Sequence, residues 1–357
     1  MHAIQRIAAE VRRRNAAFVV VSGDLFDSIT PFNSTVSAAC SAIGELPVPV
    51  FLIPGNHDHG GPGSVWHQPF FRREQQQLAQ NLKVLLTNQS VELDSAVLFP
   101  CPLLRRHETV DPTACLRALP NLDDFGSKVR IVLAHGSTVD FGETPGDDED
   151  FSATAVNVID VLRLSDEDFD YVALGDWHGA KQITDKAWYA GTPEPDRFPK
   201  GTDHAQGHIL AVQANRGGLP LVEQIPTATM AWREFSFTFG EVNDPARLAG
   251  EVERAIGTGA NKALLRLHLT GVVAIEESGA LDRLIESWQA RFIRLKLEDS
   301  VVIAPSDAEL RSLTTRAEDP LIARVAARLA QTIAEGSPEA VAAQSALREL
   351  YLATSSA

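Results

Sequence analysis

Short apolar runs alternate with amphipathic stretches along the first half of the chain. Residues 4–15 place Ile4, Ile7, Ala8 and Val11 on one stripe, the spacing of a helix that buries a single face. Residues 17–21 are then apolar and mostly β-branched and run into Ser22-Gly23-Asp24, the pattern of a buried parallel strand feeding a loop. The pattern recurs three times. Residues 48–53 run into Pro54-Gly55-Asn56-His57-Asp58, residues 129–133 into Ala134-His135-Gly136, and residues 171–174 into Gly175-Asp176-Trp177-His178. A helix is expected over residues 33–46. Strands that alternate with helices predict a layered α/β fold.

The texture changes near residue 231. Residues 232–239 alternate like a strand, and Asp244-Pro245 reads as a helix start with Asp244 as N-cap and Pro245 at the first helical position. That helix runs to about residue 256, followed by a strand at 262–272, a helix at 281–292 and a strand at 293–303. Two amphipathic helical segments between 320 and 352 flank Gly336-Ser337-Pro338. The expected organisation is a main domain over 1–230, a small α/β domain over 231–305 and a helical tail over 306–357.

Composition narrows the class. A length of 357 residues suits about two domains. With 44% hydrophobic and 22% charged residues the chain reads as globular, and no apolar run approaches the ~20 residues of a membrane span. The N-terminus does not read as a signal peptide. Cys40, Cys101 and Cys115 are scattered and form no CxxC pair, so a reducing cytoplasm is expected. The net charge of −15 argues against an extensive basic surface for nucleic acid. It leaves DNA open as a substrate, because cations held by carboxylates attract phosphate. The basic clusters at Arg12-Arg13-Arg14, Arg72-Arg73 and Arg105-Arg106-His107, and the acidic run Gly146-Asp147-Asp148-Glu149-Asp150, read as solvated surface.

The polar residues at the strand ends carry the chemistry. Ligands of open α/β sheets bind at the carboxyl ends of strands, and there this chain has Asp24, Asn56, His135, Asp176 and His178. A bridging carboxylate, an amide oxygen and imidazoles make a mixed oxygen and nitrogen donor set, suited first to Mn²⁺, with Fe, Zn²⁺ or Mg²⁺ as the other candidates. Two metals about 3.5–4 Å apart can activate a water, hold a phosphate and neutralise developing charge. His59 and His67 read as loop residues, His107, His204 and His268 as structural, His208 as a strand start, and Trp177 as core packing.

Taken in order and spacing, Gly23-Asp24, Gly55-Asn56-His57-Asp58, Ala134-His135-Gly136 and Gly175-Asp176-Trp177-His178-Gly179 resemble the calcineurin-like metallophosphoesterases. The wider strings GDLFDS at 23–28, DYVALG at 170–175 and WYAGTPEPDRF at 188–198 are most similar to the bacterial SbcD-type DNA-repair nuclease subunit. The resemblance is good over about residues 1–215. It implies a layered β-sandwich flanked by helices, with 231–305 in the place of that family's capping domain.

By position the resemblance makes Asp24 the bridging ligand, Asn56 and His135 ligands of the second metal, and His178 a ligand of the first. His57 would stabilise the transition state or protonate the leaving oxygen, and Asp58 would hold His57 in orientation. Asp176 stands where the family usually has histidine, and a carboxylate ligand with altered metal preference is expected there. The family also opens with a strand ending in DxH upstream of the GD motif, and this chain has only a helix before that point. The second site therefore keeps four candidate donors and looks complete, while the first keeps only Asp24 and His178. The expectation is a natural protein that begins upstream of Met1. The implied function is a metal-dependent DNA exo- or endonuclease subunit with an SbcC-like coiled-coil ATPase partner, and a homodimer is a further expectation. The alternatives are a phosphodiesterase or phosphatase of small nucleotides, or a binding subunit impaired by loss of the first metal site.

Overall fold

A computed structural model describes residues 2–119, 122–138, 156–198, 206–240, 243–336 and 338–355; the acidic run at 146–150 and His204 lie outside the described residues. The chain divides into two compact units, residues 1–196 with 200–229 and residues 197–199 with 230–357.

The first unit is built on two sheets. Helix α1 (His2–Arg14) leads into β1 (Val19–Ser22), α2 (Asn33–Gly44) into β2 (Val50–Ile53), and α3 (Pro69–Leu78) into β3 (Leu82–Val84). These strands form a parallel sheet in the order β1-β2-β3, with β1 at an edge. The second sheet uses β4 (Val91–Glu92), β5 (Ala96–Cys101), β6 (Val129–His135), β9 (Tyr171–Gly175), β10 (Lys181–Gln182) and β11 (Ala187–Tyr189), in the order β10-β11-β9-β6-β5-β4. Its centre, β5-β6-β9-β11, is parallel. A short parallel pair, β7 (Ser137–Thr138) with β8 (Val158–Ile159), and a hairpin, β12 (His208–Gln213) with β13 (Leu221–Pro226), complete the unit.

The apolar runs follow from burial on both faces. Along β2, Phe51 and Ile53 point inward with Leu98, Leu133 and Tyr171 of the second sheet, so the two sheets share one core. Val50 and Leu52 point the other way, against Ala8 and Val11 of α1, Val36, Cys40 and Ile43 of α2, and Phe71 of α3. The outer face of the second sheet, including Val97, Phe99, Val132 and Leu174, packs under Leu116, Val161 and Phe169. A strand covered on both sides has no place for polar alternation, and each such side chain contributes roughly 1.5–3 kcal/mol by leaving water. The polar residues are therefore pushed to the strand ends.

The second unit contains β14 (Ala231–Phe239), α4 (Asp244–Ile256), β15 (Ala263–Val273), α5 (Ile275–Arg291) and β16 (Arg294–Ile303), a parallel three-stranded sheet in the order β14-β15-β16. Its core joins Phe237, Phe239, Leu265 and Leu267 to Leu248, Val252, Leu281 and Trp288 of the helices. Helices α6 (Asp307–Thr314), α7 (Pro320–Ala334) and α8 (Ala340–Ser355) follow, around Leu313, Ala326 and Leu347. So this unit takes in both 231–305 and 306–357.

One helix start differs from the sequence expectation. Asn243, at φ 66°, occupies the cap position, and Asp244 is the first residue of α4. The Asp244 carboxylate instead accepts the Gly240 N–H at 2.7 Å and pairs with Arg247 at 3.1 Å. It is drawn back to the preceding loop, which satisfies a donor the helix does not own. Helix α6 lies within the helical tail expected over 306–357, ahead of the two segments read between 320 and 352. It has a full capping box, Ser306 with Glu309. Among the described residues no helix is long and apolar enough to cross a membrane.

Candidate metal centre

Four strand ends meet at one imidazole. His135 is the last residue of β6, one step beyond the apolar run, and is 1% exposed. Its Nδ1 lies 2.7 Å from the Ser22 carbonyl at the end of β1. Its Nε2 faces Asn56 Oδ1 at 3.0 Å, Asp24 Oδ2 at 3.3 Å and Asp176 Oδ1 at 3.7 Å. Donors from the ends of β1, β2 and β9 thus converge on the residue that ends β6.

Local backbone geometry makes this convergence possible. Asp24 has φ 53° and Asp176 φ 106°, both in the left-handed range that costs a non-glycine residue of order 1–3 kcal/mol. Each turns its carboxylate sharply off the end of its strand. Two glycines leave the room. A Cβ at Gly55 would overlap the Asp24 carboxylate, and one at Gly175 would overlap the Ser22 carbonyl. The glycines that accompany these motifs in the sequence are therefore steric requirements of the site.

The carboxylates are also held. Asp24 Oδ1 accepts the His57 backbone N–H at 3.0 Å, and Asp176 Oδ2 accepts the Ser137 hydroxyl at 2.8 Å. Asp58 is fully buried, and its oxygens accept the N–H groups of Gly55 at 2.8 Å and Phe26 at 3.2 Å. Its hold on His57 therefore runs through the turn and not through the His57 ring. The Trp66 indole donates to the Asp58 carbonyl from below. Tyr189, on β11, donates its hydroxyl to the Gly136 carbonyl at 2.6 Å and so backs the residue after His135.

The electrostatics follow from these contacts. Burial works against a charged His135, but the Asp24 and Asp176 carboxylates and the Ser22 carbonyl overcome it and raise the imidazole to about 9. Burial likewise works to raise Asp24, and His135 with the His57 N–H outweighs it, leaving the carboxyl below its ordinary range. Asp58, buried and next to the Asp24 charge, is pushed up to about 6.

These donors fit a divalent cation. Ligands at ~2.1 Å from an ion stand about 3.0–3.4 Å from one another, and the His135 contacts with Asn56 and Asp24 fall in that range. A histidine that gives its Nδ1 proton to a backbone carbonyl presents Nε2 as a ligand. The contacts all radiate from that one atom, however. Among the described residues no group of three or more His, Cys, Asp and Glu side chains closes around a common point. The structure shows a donor set held ready, not a closed shell.

His178 is placed differently. Its Nδ1 lies 2.7 Å from Asp196 Oδ2. Its backbone carbonyl accepts the Thr192 N–H at 2.9 Å. Trp177 packs against the core of the second sheet with Lys181 Nζ 5.9 Å over its ring. Ser137, Tyr189 and Asp196 were missed as site residues. Tyr189 and Asp196 lie inside the 188–198 string that carried the resemblance, so a signal for them existed.

Comparisons with known proteins place the first unit. The crystal structure of TT1561 of Thermus thermophilus is matched at 13% identity over 63% of this chain and 92% of that one, with a TM-score of 0.38. A second solved structure gives 13% identity, 62% and 93% coverage, and a TM-score of 0.37. Likenesses this distant carry no argument about function. The profile of the calcineurin-like phosphoesterases matches residues 1–203, more than half of the chain. The chain therefore belongs to the calcineurin-like phosphoesterase family, whose chemistry is the hydrolysis of phosphoesters with divalent metal ions.

Proposed function

We propose that this protein is a metal-dependent phosphodiester hydrolase that acts on DNA, a nuclease subunit of the SbcD type. The observation that carries the hydrolase reading is the meeting of Asp24, Asn56 and Asp176 at His135 Nε2. Asp24, Asn56, His135 and Asp176 would hold one cation, and Asp24 with His178 would contribute to a second, with Mn²⁺ the first candidate. Bound there, divalent cations supply Lewis acidity toward the phosphoryl oxygens and neutralise the charge that builds during displacement. His57 stands next to Asn56 with its backbone tied to Asp24, and its imidazole is assigned to the leaving oxygen as general acid. The nuclease reading draws on the motif wording at 23–28, 170–175 and 188–198. An SbcC-like ATPase is the proposed partner, for which α7 and α8 offer exposed Leu321, Val325 and Val341.

A second reading keeps the chemistry and changes the substrate. The net charge of −15 favours a small nucleotide phosphoester over a long polyanion. Hydrolysis of single- and double-stranded DNA and of bis-p-nitrophenyl phosphate, with Mn²⁺, separates the two. DNA cleavage supports the nuclease, while turnover of the small diester alone selects the alternative. One bound ion per chain with no hydrolysis of either would select a non-catalytic binding subunit.

A further inference from the structure

Two of the three cysteines meet in the fold, although they stand fourteen positions apart in the chain. Cys101 is the last residue of β5 and is 1% exposed. Cys115 is half-buried in a short 3₁₀ helix, Ala114–Ala118. Their sulfurs lie 4.0 Å apart, in van der Waals contact. A disulfide holds its sulfurs at about 2.05 Å, so the pair must close by about 2 Å to bond. Cys101 is fixed by its pairing with Ala134 of β6, the residue before His135, so the closing movement falls to Cys115. The turn ahead of Cys115 aims it inward. The Asp111 carboxylate accepts the Thr113 N–H at 2.8 Å and the Thr113 hydroxyl at 2.7 Å, and pairs with Arg117. Cys115 Sγ lies 3.7 Å from the Pro112 carbonyl.

The segment between the two cysteines borders the candidate metal centre. The Leu103 N–H donates to the Pro54 carbonyl at 3.3 Å, and the Gly60 N–H donates to the Leu103 carbonyl at 2.7 Å, on either side of Asn56 and His57. The contact also sets the two thiols apart. A hydrogen bond from Cys101, then the N–H groups of Cys115 and Leu116, hold the Cys115 thiol below its ordinary value against burial and the Asp111 charge. The same contact, and then burial, push Cys101 well above it. Cys115 is thus the nucleophile that solvent reaches, and Cys101 the buried thiol beside it. Cys40 has neither property. It is 1% exposed in the packing of α2, and burial pushes its thiol up to about 11.

We propose that Cys101 and Cys115 are a redox pair that a peroxide converts to a disulfide and a dithiol restores, a reversible clasp that ties residues 102–114 to the end of β5. The Cys115 thiolate attacks one oxygen of hydrogen peroxide, the O–O bond breaks, and the leaving hydroxide takes up a proton as water. Cys115 is then a sulfenic acid. The Cys101 sulfur attacks the Cys115 sulfur, the S–O bond breaks, and the displaced hydroxide leaves with the Cys101 proton as a second water. Each sulfur gives up one electron and the peroxide takes both. In a reducing compartment such a bond is transient, as befits a sensor and not a structural staple.

The test treats the reduced full chain, free of metal, with stoichiometric hydrogen peroxide, then unfolds and alkylates it. Mass spectrometry should find one alkylated cysteine, Cys40, in place of three. Trypsin without reductant should release residues 84–105 joined to 107–117, and dithiothreitol should return all three thiols. The oxidised chain should melt about 3–6 °C higher, because the cross-link restricts the unfolded chain. In Cys115→Ser the same treatment should leave Cys101 alkylatable and the midpoint unmoved. A sulfinic acid on Cys115 without the cross-link, a disulfide-linked dimer, three thiols that survive the peroxide, or a midpoint that stays or falls on oxidation would each overturn the clasp. The peptide masses of the wild-type chain decide the matter even where the variant does not fold.

Discussion

The two units hold two histidines with nearly the same partners and different uses. His135 lies between Asp24 and Asp176, at 3.3 and 3.7 Å. His268, on β15, lies between Glu234 at 2.8 Å and Glu298 at 3.0 Å. By distance alone His268 is the better paired. Its two ring nitrogens, however, each face one carboxylate, on the face of the second unit's sheet, with 30% of its side chain exposed. His135 gives one nitrogen to a backbone carbonyl and turns the other, fully buried, toward three oxygens from three different strand ends. A histidine saturated by charge on a sheet face is a cross-strand tie worth little. One whose second nitrogen meets converging oxygens at strand ends is a ligand candidate. The second unit also has parallel strands, but β15 and β16 run into Ala274 and Ala304, and the buried Glu309 carboxylate beyond them is taken by the backbone N–H groups of Ile275, Glu276 and Ser306.

The comparison is broken or sharpened by substitution. Removing the shared carboxylate, Asp24→Ala, should abolish Mn²⁺ binding by calorimetry and reduce hydrolysis about a thousandfold or more; normal turnover of a diester by this variant would remove the basis of the assigned chemistry. His57→Ala should keep the bound metal and lose about a hundredfold or more in kcat, since the imidazole is assigned to proton transfer. Gly55→Ala probes the packing of the site, because the new methyl must displace the Asp24 carboxylate. It should cost about a hundredfold in kcat/KM, and wild-type kinetics would show that Asp24 has freedom the contacts deny it.

The remaining two act on the second unit. Glu309 is buried and accepts the N–H groups of Glu276 and Ser306 at 2.6 Å and of Ile275 at 3.3 Å, so one carboxylate caps both α5 and α6. Glu309→Ala should lower unfolding stability by about 2–3 kcal/mol in a denaturant titration while hydrolysis of the small diester stays within about twofold. The smallest effect belongs to His268→Gln, which should change stability by less than about 1 kcal/mol and leave metal content as in the wild type. Loss of metal from that variant would erase the distinction between the two histidines.

Much of this was legible along the chain. The runs at 17–21, 48–53, 129–133 and 171–174 correspond to β1, β2, β6 and β9, because strands buried on both faces must be continuously apolar. The β-α-β-α-β order of the second unit was legible from its periodicity. Other features were hidden by being local choices between near-equal options. Asn243 stands at the cap position expected of Asp244 without a capping bond from its side chain, and the Asp244 carboxylate is taken by Gly240 and Arg247. Asp58 next to His57 suggested a direct contact, yet its oxygens are taken by two backbone N–H groups, one of them from Phe26, 32 residues away. Asp196 and Tyr189 sit in a recognisable string, but which partner each reaches depends on how the chain returns to the second sheet.

The sequence by itself determined which residues could bind and where the polar ones had to go. A strand that is apolar throughout can carry a ligand only at its tip, and glycine beside it signals close approach. What only the tertiary structure decided is that the tips of two separate sheets face one imidazole, and that Asp24 and Asp176 adopt positive φ to reach it. Such convergence joins residues far apart in the chain. The distances between them are set by sheet packing, and no local pattern encodes them.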